Sequence, residues 1–458
     1  MEYIKAWAKS AIFITIALIA GIITGILQIK PPMADENSPE FQRMMYNIER
    51  WSQRPRYSGS AEIQRVRAEI IEEIEAMGLV PTLQDVSYTR AEATAAVGRL
   101  HRTQGFFIAL PNRPFVLGRG TLQLQNIFVR LEAPNTDRTI MFVTHYDSAM
   151  RSPGAADAML PVCAMLEAMR MLADNSTLQN NIYFLFTDGE EMGALGALAF
   201  VQAHPELRER VDMVINLEAR GTRGGLILAE TSQEATVMLN VFRRAAPKPM
   251  GFSAGDLIYA VLPALTGAPV FTDFCFFLEY GWRGINLAIV EGVEHYHQPT
   301  DTIENLGRPT AQHYLETVLA LANYVAANPL DELRQPSSRA VFFPFLPGNM
   351  VVLSFKAAYI LCAFSVALAI ALLAYQIKRG LFKISFSTVV IPLLVLLSLG
   401  ASVYFHAASY LLWLPLFAVV FTTAFKKWPI AFQISRAASI IAILLLWVPL
   451  VYLIAGLF

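Results

Sequence analysis

Thr139-Ile140-Met141-Phe142-Val143-Thr144 runs directly into His145-Tyr146-Asp147. An uncharged, β-branched run that ends on an imidazole and a carboxylate reads as a buried strand presenting polar chemistry at its carboxyl end. Residues 182–187, 213–217 and 285–290 are similar apolar runs, with helix-compatible segments between several of them. Strands alternating with helices in this way predict an α/β fold with a mostly parallel central sheet flanked by helices. Upstream, Ser60 can cap a helix whose Ile63, Val66, Ile70, Ile74 and Met77 share one face and whose stop is Gly78. That helix is expected to be scaffold.

Five short segments end or closely follow strand-like runs and carry metal-compatible side chains. They are Thr144-His145-Tyr146-Asp147, Gly154-Ala155-Ala156-Asp157, Asp188-Gly189-Glu190-Glu191, Asn216-Leu217-Glu218 and Tyr296-His297-Gln298-Pro299. Ligands of open α/β sheets gather at the carboxyl ends of strands, so the recurrence predicts one shared site. Two imidazoles with three carboxylates can hold a pair of zinc ions, one carboxylate bridging them, and a water held there becomes nucleophilic near neutral pH. Such chemistry also needs a carboxylate that is near but uncoordinated, to take the water's proton and pass it to the leaving amine. The adjacent Glu190 and Glu191 can divide those duties.

With these segments in view, the sequence resembles the zinc exopeptidase family that includes secreted bacterial aminopeptidases, glutamate carboxypeptidase, transferrin receptor and glutaminyl cyclase. The resemblance covers about residues 55–327. Within the family it looks closest to the membrane-bound metallopeptidases of the endoplasmic reticulum, on Arg54-Pro55-Arg56-Tyr57-Ser58-Gly59-Ser60, Ser152-Pro153-Gly154-Ala155, Asn216-Leu217-Glu218-Ala219-Arg220-Gly221 and Tyr296-His297. It implies a zinc exopeptidase fold holding two Zn2+ per chain, with His145, Glu191, Glu218 and His297 as terminal ligands and Asp157 as the bridge. It further implies Glu190 as general base, Asp147 as the acceptor that orients the His145 ring, and Tyr296 as a donor to the oxyanion. Asp273, Arg220 and Asp301 are equally compatible with a supporting or substrate role and with structural ion pairs. Two departures from the wider family stand out: Ala158-Met159-Leu160-Pro161 after Asp157, and Glu218 where many relatives carry Asp.

The implied activity is hydrolysis of N-terminal peptide bonds by a metal-activated water. The alternatives are a dipeptidase or carboxypeptidase specificity, or a catalytically inactive receptor or binding protein on the same scaffold.

The chain has 458 residues, 55% hydrophobic and 16% charged, with a net charge of −1; its mean hydropathy is +0.42 and its pI about 6.7. Ordinary soluble domains are roughly one-quarter charged, so part of the chain is expected to meet lipid. No basic field exists to draw the protein to nucleic acid. Residues 10–29 form an uncharged apolar run behind Lys5 and Lys9, about the length that crosses a hydrocarbon core. The run exceeds the roughly 7–15 residues of a cleaved signal, and no A-x-A-like site follows Leu27, so a signal-anchor is expected. Further runs at 357–377, 384–404, 410–425 and 437–458 lack Asp, Glu, Lys and Arg and predict about four more transmembrane helices.

Basic residues at Lys378, Arg379, Lys383, Lys426, Lys427 and Arg436 agree with Lys5 and Lys9 in placing the intervening domain on the non-cytoplasmic side: periplasm, cell exterior or organelle lumen. The expected partition is 1–37 cytoplasmic N-terminus and anchor, 38–328 exopeptidase domain, 329–350 linker and 351–458 membrane region. Peptide and the lipid bilayer are the expected partners. Cys163, Cys275 and Cys362 lie in apolar surroundings with no metal spacing and read as packing residues.

Overall fold

The described residues of this computed structural model are 35–89, 91–96, 121–134, 136–173, 177–251, 272–346 and 348–358, with isolated positions farther on. The chain divides into two compact units: Pro31–Pro344 with Gly348–Val352, and Met1–Lys30 with Phe345–Pro347 and Leu353–Phe458. The first unit holds the sheet and the site.

Two capped helices open it. In α1 (Pro39–Trp51) the Ser38 hydroxyl accepts from the Phe41 N–H; in α2 (Ala61–Ala76) the Ser60 hydroxyl accepts from the Ile63 N–H. Each cap satisfies a first-turn donor that has no partner inside the helix. Ile63, Val66, Ile70 and Ile74 are buried, so the expected face of α2 is the packed one.

The sheet has seven strands in the order β1 (Thr82–Tyr88), β2 (Leu122–Leu131), β4 (Asn181–Thr187), β3 (Thr139–His145), β5 (Val211–Ala219), β7 (Gly284–Ile289) and β6 (Ile227–Thr231). Its faces are set by the two-residue period of a strand. Ile140 and Phe142 of β3 and Ile182, Phe184 and Phe186 of β4 enter one core, with α1, α2, α3 (Leu160–Ala173), α6 (Thr236–Ala245) and α8 (Arg308–Ala327). Met141, Val143, Tyr183 and Leu185 enter the other, with α4 (Leu195–Ala203), α5 (Leu207–Arg210) and α7 (Phe274–Glu279). Strands covered on both faces are apolar almost throughout, the reason β3 and β4 read as continuous runs. Past α8, Leu330, Leu333, Ala340, Phe342 and Met350 join the first core.

The α/β sheet is as expected at its centre: β4, β3, β5 and β7, the four strands legible in the sequence, are mutually parallel, and β1, β2 and β6 add antiparallel pairs around them. The expected one N-terminal and about four C-terminal transmembrane helices are corrected. Among the described residues no helix is long and apolar enough to cross a membrane. The longest, α8, has 20 residues, but it carries Arg308, Gln312, His313 and Glu316 and turns Leu315, Val318 and Leu321 into the domain core. The runs at 10–29, 384–404, 410–425 and 437–458, and most of 357–377, lie outside the described residues.

Candidate active site

The four parallel strands deliver their chemistry at one edge. His145 is the last residue of β3 and Glu218 lies one residue from the end of β5. Glu190 and Glu191 lie in the turn after β4, and His297 follows β7 by way of the single turn Val293–His295. Asp157 comes from the distorted turn Ala155–Met159 that leads into α3; Pro161 falls in the first turn of α3, where a missing N–H costs nothing.

These side chains form two groups, His145–Asp157–Glu218 and Asp157–Glu191–His297, each with its candidate ligand atoms within 4.8 Å of one another. Asp157 belongs to both. Its Oδ1 is 3.1 Å from His145 Nε2 and its Oδ2 is 3.4 Å from His297 Nε2. Glu218 Oε1 lies 3.4 Å from His145 Nε2, and Glu191 Oε2 lies 3.0 Å from His297 Nε2. On the far side of the His145 ring, Nδ1 is 3.3 Å from Asp147 Oδ1 and 3.2 Å from its carbonyl. The Asp147 carboxylate also accepts the backbone N–H groups of Glu190 and Glu191, both at 3.1 Å. One carboxylate thus orients an imidazole and holds the turn that bears the two glutamates.

Charge is crowded here. Burial pushes the Glu190 carboxyl well above the usual carboxylate range, and neighbouring Glu218 and Glu191 push it further. Burial and Asp157 raise Glu191 to about 7. Burial works against the Asp157 carboxylate too, yet hydrogen bonds from His145 and His297 hold it below its ordinary value. Burial disfavours the His297 cation, but Glu191 and Asp157 raise it to about 10. Such a set balances its negative charge only by taking up protons or cations. Glu191 Oε1 is buried without a hydrogen-bond partner, a costly state for a carboxylate oxygen unless something else satisfies it. An imidazole and carboxylates in each group, sharing one carboxylate, fit two zinc ions by donor chemistry.

The other residues singled out from sequence fall around this centre. The Tyr296 ring stacks on His297 at 3.7 Å between centroids, and the Arg220 guanidinium lies 5.2 Å from the Tyr296 centroid. Asp273 accepts from the Thr187 hydroxyl, and burial raises its carboxyl to about 7. Asp301 accepts from the backbone N–H groups of Ala156 and Asp157 at 2.9 and 3.1 Å. Two residues had no role in the sequence reading. The Asp188 carboxylate accepts from the Ser58 hydroxyl at 2.7 Å, and that hydroxyl also lies 3.3 Å from Asp147 Oδ2. Arg56 is buried beside the Asp157 turn. Both lie inside recognisable stretches, residues 54–60 and 188–191, but their partners are distant in sequence.

Residues 126–322 match the model of peptidase family M28. This chain carries a peptidase family M28 domain. Endoplasmic reticulum metallopeptidase 1 of Rattus norvegicus is 28% identical to it over 237 residues, 50% of this chain and 25% of the relative. Vacuolar membrane protease of Eremothecium gossypii is 30% identical over 269 residues, 57% of this chain and 25% of the relative. The chain thus spans about a quarter of the length of these relatives. An aminopeptidase structure from Aneurinibacillus sp. strain AM-1 aligns with a TM-score of 0.47 and 15% identity, covering 67% of this chain and 96% of that one.

Proposed function

We propose that this chain is a two-zinc exopeptidase that removes N-terminal residues from peptides, with Glu190 as general base. The observation that carries the reading is the division of the Asp157 carboxylate, one oxygen toward His145 and the other toward His297. His145 and Glu218 would hold one ion, Glu191 and His297 the other, and Asp157 both. When bound, the ions would lower the pKa of water and polarise the scissile carbonyl. The chain's own groups would do the rest. Glu190 is buried beside the ligands and belongs to neither ligand group; its carboxylate takes the proton of the attacking water and returns it to the leaving amine. Asp147 keeps the His145 ring in place by accepting at Nδ1. Tyr296, held between Arg220 and His297, donates to the oxyanion.

The names of the relatives support membrane association, and we place the domain on the non-cytoplasmic side. A membrane-impermeant probe that modifies it from the cytoplasmic face of sealed membranes overturns that placement.

The test of the chemistry is Glu190→Gln, assayed for metal content beside turnover of free and N-acetylated peptides. Two zinc ions should remain while kcat falls about 10²–10⁴-fold, and acetylated peptides should be cut far more slowly by the parent. Normal turnover by Glu190→Gln sinks the mechanism. Efficient cleavage within doubly blocked peptides sinks the exopeptidase assignment.

A further inference from the structure

Both ligand groups depend on Asp157, so whatever fixes Asp157 fixes their spacing. The backbone there is non-helical, φ −107° and ψ 90°, and its main anchors come from other segments. On one side stands Arg56, wholly buried between α1 and α2. Its Nε donates to the Tyr146 carbonyl at 2.9 Å, its Nη1 to the Pro153 carbonyl and its Nη2 to the Gly154 carbonyl at 2.8 Å. Its backbone N–H donates to the Ser148 hydroxyl at 3.0 Å. On the other side stands Asp301, which follows His297. Its carboxylate accepts from the Ala156 and Asp157 N–H groups, and its carbonyl accepts from the Ala155 N–H at 3.1 Å. Gly154 permits the close approach: φ is +67°, and a Cβ there would stand 2.8 Å from Arg56 Nη2 and 2.3 Å from the Asp157 carbonyl.

We infer that Arg56 and Asp301 are positioning residues that clamp the Asp157 turn between the end of β3 and the His297 loop, and so set the separation of the two ligand groups. Burying a guanidinium is costly unless its donors are satisfied. Burial lowers this one to about 10, with Asp301, Asp157 and Asp147 opposing the loss, so it stays charged at neutral pH. Its hydrogen bonds nevertheless go to main-chain carbonyls. Those carbonyls belong to two segments, Tyr146 at the end of β3 and Pro153-Gly154 at the start of the Asp157 turn, and a planar fork of donors can tie them together. Lysine would keep the charge but offer a single nitrogen.

The inference rests on the two-metal reading, and cobalt binding separates the two. The full chain, stripped with chelator, is titrated with Co2+ while the cobalt absorption spectrum and the unfolding of the metal-free protein are followed. The parent should take two equivalents; a parent that takes none refutes the two-metal reading, and the clamp with it. Arg56→Lys should fold, bind cobalt about 10–100-fold more weakly and show an altered spectrum. Arg56→Lys with parent-like cobalt affinity and spectrum, even if less heat-stable, shows a merely structural role and overturns the clamp. Asp301→Asn keeps size and one acceptor oxygen but turns the other into a donor facing a backbone N–H. It should weaken cobalt binding in the same range, and it decides the matter if Arg56→Lys does not fold; unchanged binding again overturns the clamp.

Discussion

The two halves of the site are built differently. His145 and Glu218 stand on β3 and β5 inside the sheet and are 1% and 4% exposed. Glu191 and His297 stand on turns, and the His297 side chain is 28% exposed. The first pair inherits its spacing from strand register, since Val143 lies opposite Asn216 and both side chains follow within two residues. The second pair depends on local devices: Gly189 and Gly193 at positive φ flank the glutamates, and His297 itself takes a φ of 57°, a region that histidine enters more readily than bulkier residues. Sheet geometry therefore fixes the inner half, while the outer half is held by the Asp147 carboxylate at the Glu190–Glu191 turn and by the Tyr296 ring stacked on His297. Local opening is easiest where backbone is exposed and few apolar contacts anchor it, so the outer half is the one through which ions and peptides are expected to exchange.

The largest expected effect comes from removing what the halves share. Asp157→Asn should lose both ions, and activity should fall by more than the about 10²–10⁴-fold assigned to general acid–base catalysis alone. Two tightly held ions in Asp157→Asn would show that the halves are independent. Next in size is the contrast between the halves. His145→Gln and His297→Gln should each cost one ion, and in the parent a chelator should withdraw the outer ion first. If the ion retained by His145→Gln is held more tightly than the one retained by His297→Gln, the assignment of inner and outer is reversed. Asp147→Asn reaches both halves at one remove, through the His145 ring and through the N–H groups of Glu190 and Glu191. Its expected cost is about 10–100-fold in metal affinity, and a loss confined to the His145 side would mean that the turn holds its own shape.

The same division explains what could be read from the sequence. The central strands are covered on both faces, so 139–144 and 182–187 stand out as continuous apolar runs, and the candidate site residues follow where those runs stop. β1 is not legible in the sequence because it is an edge strand with an exposed face, Thr82-Leu83-Gln84-Asp85-Val86-Ser87-Tyr88, where polar residues interrupt the run. Without β1, β2 and β6, only the parallel part of the sheet was visible. The roles of Asp188 and Arg56 are not legible in the sequence, since their partners Ser58, Tyr146 and Pro153 are 90 or more residues away. Long-range polar contacts leave no periodicity to find. The apolar runs at either end were read from hydropathy alone, which reports length and composition and carries no information on packing.

The smallest expected effect separates scaffold from site. Ser60 caps α2, which contributes four buried side chains to the core and no ligand. Ser60→Ala leaves the Ile63 N–H without its acceptor, at a cost of about 1 kcal/mol, or a fall of roughly 2–4 °C in the melting temperature for a domain of this size. Metal affinity and kcat should not move. The position is demanding, because Ser60 lies only four residues after Arg56 and two after Ser58, both hydrogen-bonded to the site's surroundings. Should Ser60→Ala weaken cobalt binding along with stability, the start of α2 would itself set the position of Arg56. The inner half would then owe its geometry to a helix cap as well as to the sheet.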